Sequence, residues 1–219
     1  MRLVKLYGYF RSSAAYRVRI ALGLKGMAWE TVAVDLRAPV SAQHTAEFRR
    51  LNPHGLVPVL ADGERTLTQS LAIIEYLDET HPHPPLLPRS PAERAEVRAL
   101  ALAVACDIHP LNNSRVLEYL RRQLAQDESA VNAWYAHWIA AGLAALELDA
   151  QRLSGDGQHM YGSSVTVADV CIVPQMANAR RFNCDIAPYP TLRGICAHLE
   201  SLPAFAQAAP ALQPDAAPG

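Results

Sequence analysis

Tyr9-Phe10-Arg11-Ser12-Ser13-Ala14-Ala15-Tyr16-Arg17-Val18-Arg19-Ile20-Ala21-Leu22 follows a short apolar run, Leu3 to Tyr7, and precedes a glycine at position 26. Leu3 to Tyr7 has β-branched content and predicts a first strand. From Ser12 to Lys25, Tyr16, Ile20 and Leu24 recur every fourth residue, as do Val18 and Leu22, which predicts a helix. Gly26 stops it in the usual glycine manner. Trp29 to Asp35 alternates like a second strand. The stretch from Arg37 to Gln43 reads as loop, and Thr45 to Leu51 as a short helix. Val57 to Leu60 and Thr66 to Thr68 predict two short strands joined at Asp62-Gly63, a good hairpin turn. Ser70 then caps a helix to about Thr80, with Leu71, Ile74 and Leu77 on one face. The order βαβ, loop, ββα predicts an α/β thioredoxin-like domain over residues 1–80, four strands with helices on both sides.

Working outward, His81-Pro82-His83-Pro84-Pro85-Leu86-Leu87-Pro88 marks a proline-rich linker over 81–90, and an all-helical domain is expected over 91–219. Pro91 opens a long helix that Pro110 should kink. Helices follow around Ser129 to Leu153, Thr166 to Arg181 and Thr191 to Leu202. Thr166 and Asp169 have capping-box spacing, and Val165 and Val170 that of a hydrophobic staple, a helix-start signal rather than a site. Trp134 and Trp138, four apart, read as packing. The tail from Gln213, proline and alanine, is expected to fray.

Composition narrows the function. Of 219 residues half are hydrophobic and 19% charged, and the formal net charge is -1. Basic residues form no run beyond the pairs Arg49-Arg50, Arg121-Arg122 and Arg180-Arg181, which excludes nucleic acid and anionic membrane as expected partners. No signal peptide or membrane span is legible near the N-terminus, so the cytosol is the expected address. Cys106, Cys171, Cys184 and Cys196 lack close spacing and are expected to be reduced, mostly buried thiols. His81-x-His83 lacks a third ligand, so no metal is expected.

In a thioredoxin-like fold the start of the first helix is the reactive spot. Redox members carry two cysteines there; this chain has Ser12-Ser13-Ala14-Ala15, so the protein itself supplies no thiol at that spot. Two hydroxyls at a helix N-terminus suit a bound anion, including a ligand's thiolate. One charge-assisted hydrogen bond is worth about 1.5–3 kcal/mol and the helix end about 0.3–1 kcal/mol. At about 1.4 kcal/mol per pKa unit, a thiol of pKa ~8.5 would fall by roughly one to three units. The alternative is that Ser12 only caps the helix. Val57-Pro58 is a candidate cis peptide whose Val57 backbone could pair with an extended peptide. Gln69-Ser70 opens the next helix, a second anion site suited to a γ-glutamyl carboxylate. A thiolate site, a peptide-pairing edge and a carboxylate site together meet the needs of glutathione.

The run Tyr9 to Leu22 resembles the signature of the zeta-class glutathione transferases, a class that includes maleylacetoacetate isomerase and maleylpyruvate isomerase. Further matches are Leu51-Asn52-Pro53, Val57-Pro58, Gln69 to Leu77, Asp169 to Phe182 and Gln213-Pro214-Asp215, so the resemblance spans nearly the whole chain. Two departures stand out: Ala14 replaces a cysteine frequent in the family, and Tyr16 a tryptophan. The first removes the basis for a covalent or redox role of the protein there, and leaves serine-assisted thiolate chemistry intact.

The resemblance implies that glutathione is the cofactor, contacting Ser12, Ser13, Ala14, Gln43, Val57, Gln69 and Ser70, with Asp107, His109, Asn113 and Arg115 approaching from the helical domain. It assigns catalysis to Ser12, Ser13, Arg11 and Arg181, and an acidic second substrate to Arg11, Arg115 and Arg181. His109 reads equally as a histidine bonded beside the Pro110 kink, and only one of Arg180 and Arg181 is expected to face substrate. The expected reaction is cis–trans isomerisation of maleylacetoacetate to fumarylacetoacetate, within tyrosine and phenylalanine breakdown, by reversible thiolate addition, in a homodimer. Maleylpyruvate isomerisation, broad transferase or dehalogenase activity, and a non-enzymatic binding role are the alternatives.

Overall fold

The computed structural model describes residues 3–37, 39 and 41–216; positions 38 and 40, within the loop expected over Arg37 to Gln43, lie outside them. The chain divides into two compact units: one runs to Pro85 and takes up the chain again from Leu202, and the other is Leu86–Ser201. The helical unit thus ends at Ser201, whereas the sequence pattern carried it to 219.

The first unit is built on β1 (Val4–Gly8), α1 (Ser13–Leu24) and β2 (Trp29–Ala33), then α2 (Ala46–Leu51), β3 (Val59–Asp62), β4 (Arg65–Thr68) and α3 (Ser70–Thr80). Val4, Leu6 and Gly8 are buried while Lys5 is exposed, the period of two that a strand imposes. The sheet order is β2-β1-β3-β4, with β1 parallel to β2 and the other pairs antiparallel. This is the expected thioredoxin-like arrangement. The hairpin turn lies one residue later than its sequence suggested. Asp62 pairs with Arg65, so Gly63 and Glu64 form the loop. Gly63 sits at φ 64, where a side chain would be strained.

Helix α1 is buried nearly all round: Val18, Ile20, Ala21 and Leu22 are sealed, and so are the charged Arg17 and Arg19. It packs against α3 and also against a helix the sequence reading missed, Pro203–Ala208 near the C-terminus. The expected fraying of the tail does not hold over residues 213–216; positions 217–219 lie outside the described residues. Gln213 is buried and its Nε2 donates to the carbonyls of Gln207 and Ala209, both at 3.0 Å. Asp215 accepts the Phe10 N–H at 2.9 Å. Composition cannot reveal bonds made by single side chains to residues so distant in sequence.

The second unit is helical: α4 (Pro91–Leu102), α5 (Ser114–Arg122), α6 (Glu128–Leu153), α7 (Val167–Arg181) and α8 (Pro190–Ser201); the missed C-terminal helix is α9. The kink expected at Pro110 is a longer irregularity. Ala103–Ile108 widens into π-helix and His109–Asn112 tightens into a 3-10 turn. A Cβ on Gly142 of α6 would overlap Ile108, so that glycine lets the widened segment approach. Val131, Tyr135, Ile139, Leu143, Leu146 and Ala150 form the buried stripe of α6. Trp134 donates to the Leu111 carbonyl and meets Trp138 edge-on, as packing residues do.

Helix α7 is the buried centre of the unit. Its capping box is present: Asp169, fully buried, accepts from the N–H groups of Met160 and Thr166 at 2.7 Å and from the Thr166 hydroxyl at 2.9 Å. Burial pushes the Asp169 carboxyl up to about 6 against these bonds. Burial also works to raise Glu147, but hydrogen bonds from Thr191, Leu192 and Gln151 win and hold its carboxyl below the usual range. That carboxylate caps the start of α8. Among the described residues no helix is long and apolar enough to cross a membrane.

Candidate functional site

Strand register brings three distant segments to one edge of the sheet. Tyr7 of β1 pairs with Val59 of β3, and Val59 with Thr68 of β4. The residues just beyond, Tyr9 to Ser12, Val57-Pro58 and Gln69-Ser70, therefore gather at that edge. The Val57-Pro58 bond is cis, as expected, and so is His83-Pro84, which was not. Ala42 and Val57 pack on one cluster with Val34, Phe48 and Val59, so the Gln43 segment lies alongside.

Ser12 is the N-cap of α1, and its Oγ accepts from the Ala15 N–H at 3.2 Å. Capping uses a lone pair, whereas holding an anion uses the hydroxyl hydrogen. The two readings of Ser12 are therefore compatible. Among the described residues none accepts that hydrogen. Ser13 is 4% exposed, so its side chain is turned into the protein and Ser12 is the better placed hydroxyl. Ala14 is half-buried on the first turn.

At the second helix start the same polarity recurs. Ser70 is buried, and its Oγ accepts from Arg17 Nη1 at 3.1 Å. A guanidinium has donors only, so the Ser70 hydrogen must point elsewhere. Among the described residues it has no acceptor. Gln69, exposed, is held at φ 69, a strained conformation for a residue with a side chain. The Gln43 Oε1 is buried without a hydrogen-bond partner, an acceptor suited to an N–H from a ligand. Two hydroxyls, each with a hydrogen left to donate, and one unpaired acceptor fit a small anionic peptide.

Arg17 was missed by sequence reasoning, and so was Arg19, whose guanidinium burial lowers to about 10 against the opposing charge of Asp215. The signal was present: two arginines inside Ala14 to Leu22, a run with no polar face to hold them. Arg11 is exposed, with its guanidinium 4.9 Å from the Phe10 ring centroid.

The residues named in the helical unit lie on its irregular segment and on the ends of α5 and α7. Asp107 is exposed in the π-helical stretch, and His109 is half-buried where the 3-10 turn begins. Asn113 caps α5, its Oδ1 accepting from the Arg115 N–H at 3.1 Å. The Arg115 side chain is exposed and has no ion-pair partner among the described residues. Arg180 pairs with Glu200 at 2.6 Å, and Arg181 lies over Phe182, which stacks on buried Tyr135 at 3.9 Å. Cys171 and Cys196 are buried but Cys106 is exposed, so the thiols are less uniformly buried than expected.

Comparison with known proteins extends these observations. Residues 6–85 match the glutathione S-transferase N-terminal domain family. The chain is 55% identical to a probable maleylacetoacetate isomerase of Vibrio cholerae, over 96% of this chain and 97% of that protein. It is similar to the holo structure of a maleylpyruvate isomerase described as a bacterial zeta-class glutathione S-transferase, at 47% identity and TM-score 0.94, covering 97% of this chain and 100% of that one. It is also similar to a Methylobacterium extorquens maleylacetoacetate isomerase solved with malonate and glutathione, at 42% identity and TM-score 0.93, covering 98% and 100%.

Proposed function

We propose, from the premise that this chain belongs to the zeta-class glutathione transferase family, that it is a glutathione-dependent cis–trans isomerase acting on maleylacetoacetate. The observation that carries this reading is the pair of serine hydroxyls, Ser12 and Ser70, each accepting from a protein donor and each left with a hydrogen to donate. Bound glutathione supplies a thiolate that adds reversibly to the conjugated double bond, which becomes single, turns, and re-forms as trans. Ser12 holds that sulfur in its anionic form, assisted by the N-terminus of α1. Ser70 and Gln69 hold the γ-glutamyl carboxylate, Gln43 accepts a peptide N–H, and the Val57 backbone pairs with the tripeptide. Ser13 and Ala14 place the first N–H groups of α1 toward the thiolate.

Arg11 and Arg181 grip the carboxylate of the acidic second substrate and oppose the negative charge that develops on its carbonyl oxygen. Asp107, His109, Asn113 and Arg115 complete the contacts from the helical unit. The exposed guanidinium of Arg115, with no ion-pair partner among the described residues, favours a second reading, maleylpyruvate, because it adds a third cationic anchor. The protein is read as a homodimer of the cytosol, with a glutathione-binding unit that runs to Pro85 and resumes at Leu202 and a helical substrate unit over Leu86–Ser201. Incubation with maleylacetoacetate or maleylpyruvate, with and without glutathione, tests the reading. Trans product that depends on glutathione without consuming it supports isomerisation. Net consumption of glutathione assigns the chain to conjugation or dehalogenation. No product with either substrate, but retention on immobilised glutathione, assigns it to binding alone.

A further inference from the structure

Phe10 is held on both sides by distant side chains. Its N–H donates to Asp215 Oδ2 at 2.9 Å, and its carbonyl accepts from Arg19 Nη2 at 3.1 Å. Arg19 is buried at 3% exposure, and its Nε also donates to the Ala208 carbonyl at 3.0 Å. Its guanidinium lies 5.3 Å from the centroid of the Tyr16 ring. The C-terminal segment is itself fixed, through the two bonds of the Gln213 side chain and the Ala216 N–H to Gln213 carbonyl bond at 2.9 Å. The segment that carries Asp215 is thus tied down by its own bonds where it meets the first loop.

Phe10 matters because of where it sits. The Ser12 N–H donates to the Tyr9 carbonyl at 2.9 Å, so Phe10 and Arg11 are the two central residues of a tight turn that ends on the N-cap. Gly8 is still paired to Ala33 in the sheet, and α1 begins at Ser13. Only Tyr9 to Ser12 lie between, and each peptide there has two soft dihedrals that could swing the hydroxyl away. Asp215 and Arg19 pin the peptides on either side of Phe10, and the Asp215 bond is charge-assisted and correspondingly strong.

We propose that Asp215 is a positioning residue for the reaction: by anchoring the Phe10 peptide it fixes the turn from which the Ser12 hydroxyl and the Arg11 side chain both project. The proposal rests on the reading of Ser12 as the donor to the glutathione thiolate. The C-terminal segment, 203 residues from Ser12 in sequence by the difference of 215 and 12, is then a working part of the site.

The test uses the full-length protein and its Asp215→Ala, Asp215→Asn and Ser12→Ala variants. Three quantities are measured: the pKa of the bound glutathione thiol by its ultraviolet thiolate absorbance, affinity for S-methylglutathione, and kcat with KM for the isomerisation. Asp215→Ala should raise the bound thiol's pKa by up to about one unit toward the free value of ~8.5. It should lower kcat roughly tenfold and leave S-methylglutathione affinity within about twofold, because other residues hold that ligand. Asp215→Asn keeps an acceptor oxygen and should recover most of the loss. If Asp215→Ala lowers the melting temperature and weakens both ligands together, with the bound thiol's pKa unchanged, the contact is merely structural and the proposal is overturned. The two readings fail distinguishably. No effect of Ser12→Ala on that pKa removes the site assignment itself; an effect of Ser12→Ala without one from either Asp215 variant removes only the positioning role.

Discussion

Replacing Ser70 by alanine probes the second helix start, and its cost can be worked from the single bond seen there. Ser70 is 7% exposed and its oxygen accepts from Arg17 Nη1 at 3.1 Å, so the hydroxyl hydrogen is the group available to a ligand carboxylate. A hydrogen bond to a charged group is worth about 1.5–3 kcal/mol, so Ser70→Ala should weaken S-methylglutathione binding roughly ten- to hundredfold. The same change removes one hydrogen bond of the buried Arg17 guanidinium, at about 1–3 kcal/mol of stability. For a chain of this size that is roughly 2–10 °C in melting temperature. Arg17→Met, of similar bulk, should also weaken binding, because the hydroxyl is then free to turn. If Arg17 acts through Ser70, the two losses are not additive. In the Ser70→Ala background Arg17→Met should cost no further affinity, a coupling of about 0.5–3 kcal/mol. Calorimetric titration of the two single variants and the double variant measures it. Additive losses in affinity would refute the reasoning, and unchanged binding in Ser70→Ala would refute the site.

Two further predictions follow from the geometry. Asp169→Asn should destabilise the protein by roughly 2–4 kcal/mol, since an amide nitrogen cannot accept the Thr166 bonds. Because burial raises the Asp169 carboxyl to about 6, above its unfolded value, wild type should lose stability relative to that variant as pH rises from about 4 to 6; denaturant melts across this window check the sign. Arg11→Met and Arg181→Met should raise KM for acidic substrates roughly tenfold or more while sparing neutral conjugation substrates; a fall in kcat as well would assign that arginine to the developing charge, and equal losses on both substrate types would refute the anchor role.

The first unit was largely readable because its elements obey simple periods. The apolar, β-branched run Leu3 to Tyr7, the recurrence every fourth residue from Tyr16 to Leu24 and the Asp62-Gly63 turn signal predicted strand, helix and hairpin within a residue or two. The capping box of α7 was equally plain, since Thr166 and Asp169 satisfy each other locally. What escaped was non-local or against pattern. Arg17 and Arg19 are buried, although charge ordinarily marks the solvent face. Their partners Ser70 and Ala208 come from other parts of the chain. The tail was read from composition, and no composition encodes the bond from Asp215 to Phe10. Around Pro110 the sequence shows where the helix must fail; the π-helical widening of Ala103–Ile108 depends on Gly142 making room.

The central claim is that Ser12 stabilises a thiolate it does not itself supply. Titrating bound glutathione by its thiolate absorbance, in wild type and in Ser12→Ala, tests this most directly. The wild-type thiol should titrate roughly one to three units below the free value of ~8.5, and in Ser12→Ala it should return most of the way. A bound thiol with the same depressed pKa in both proteins would contradict the account.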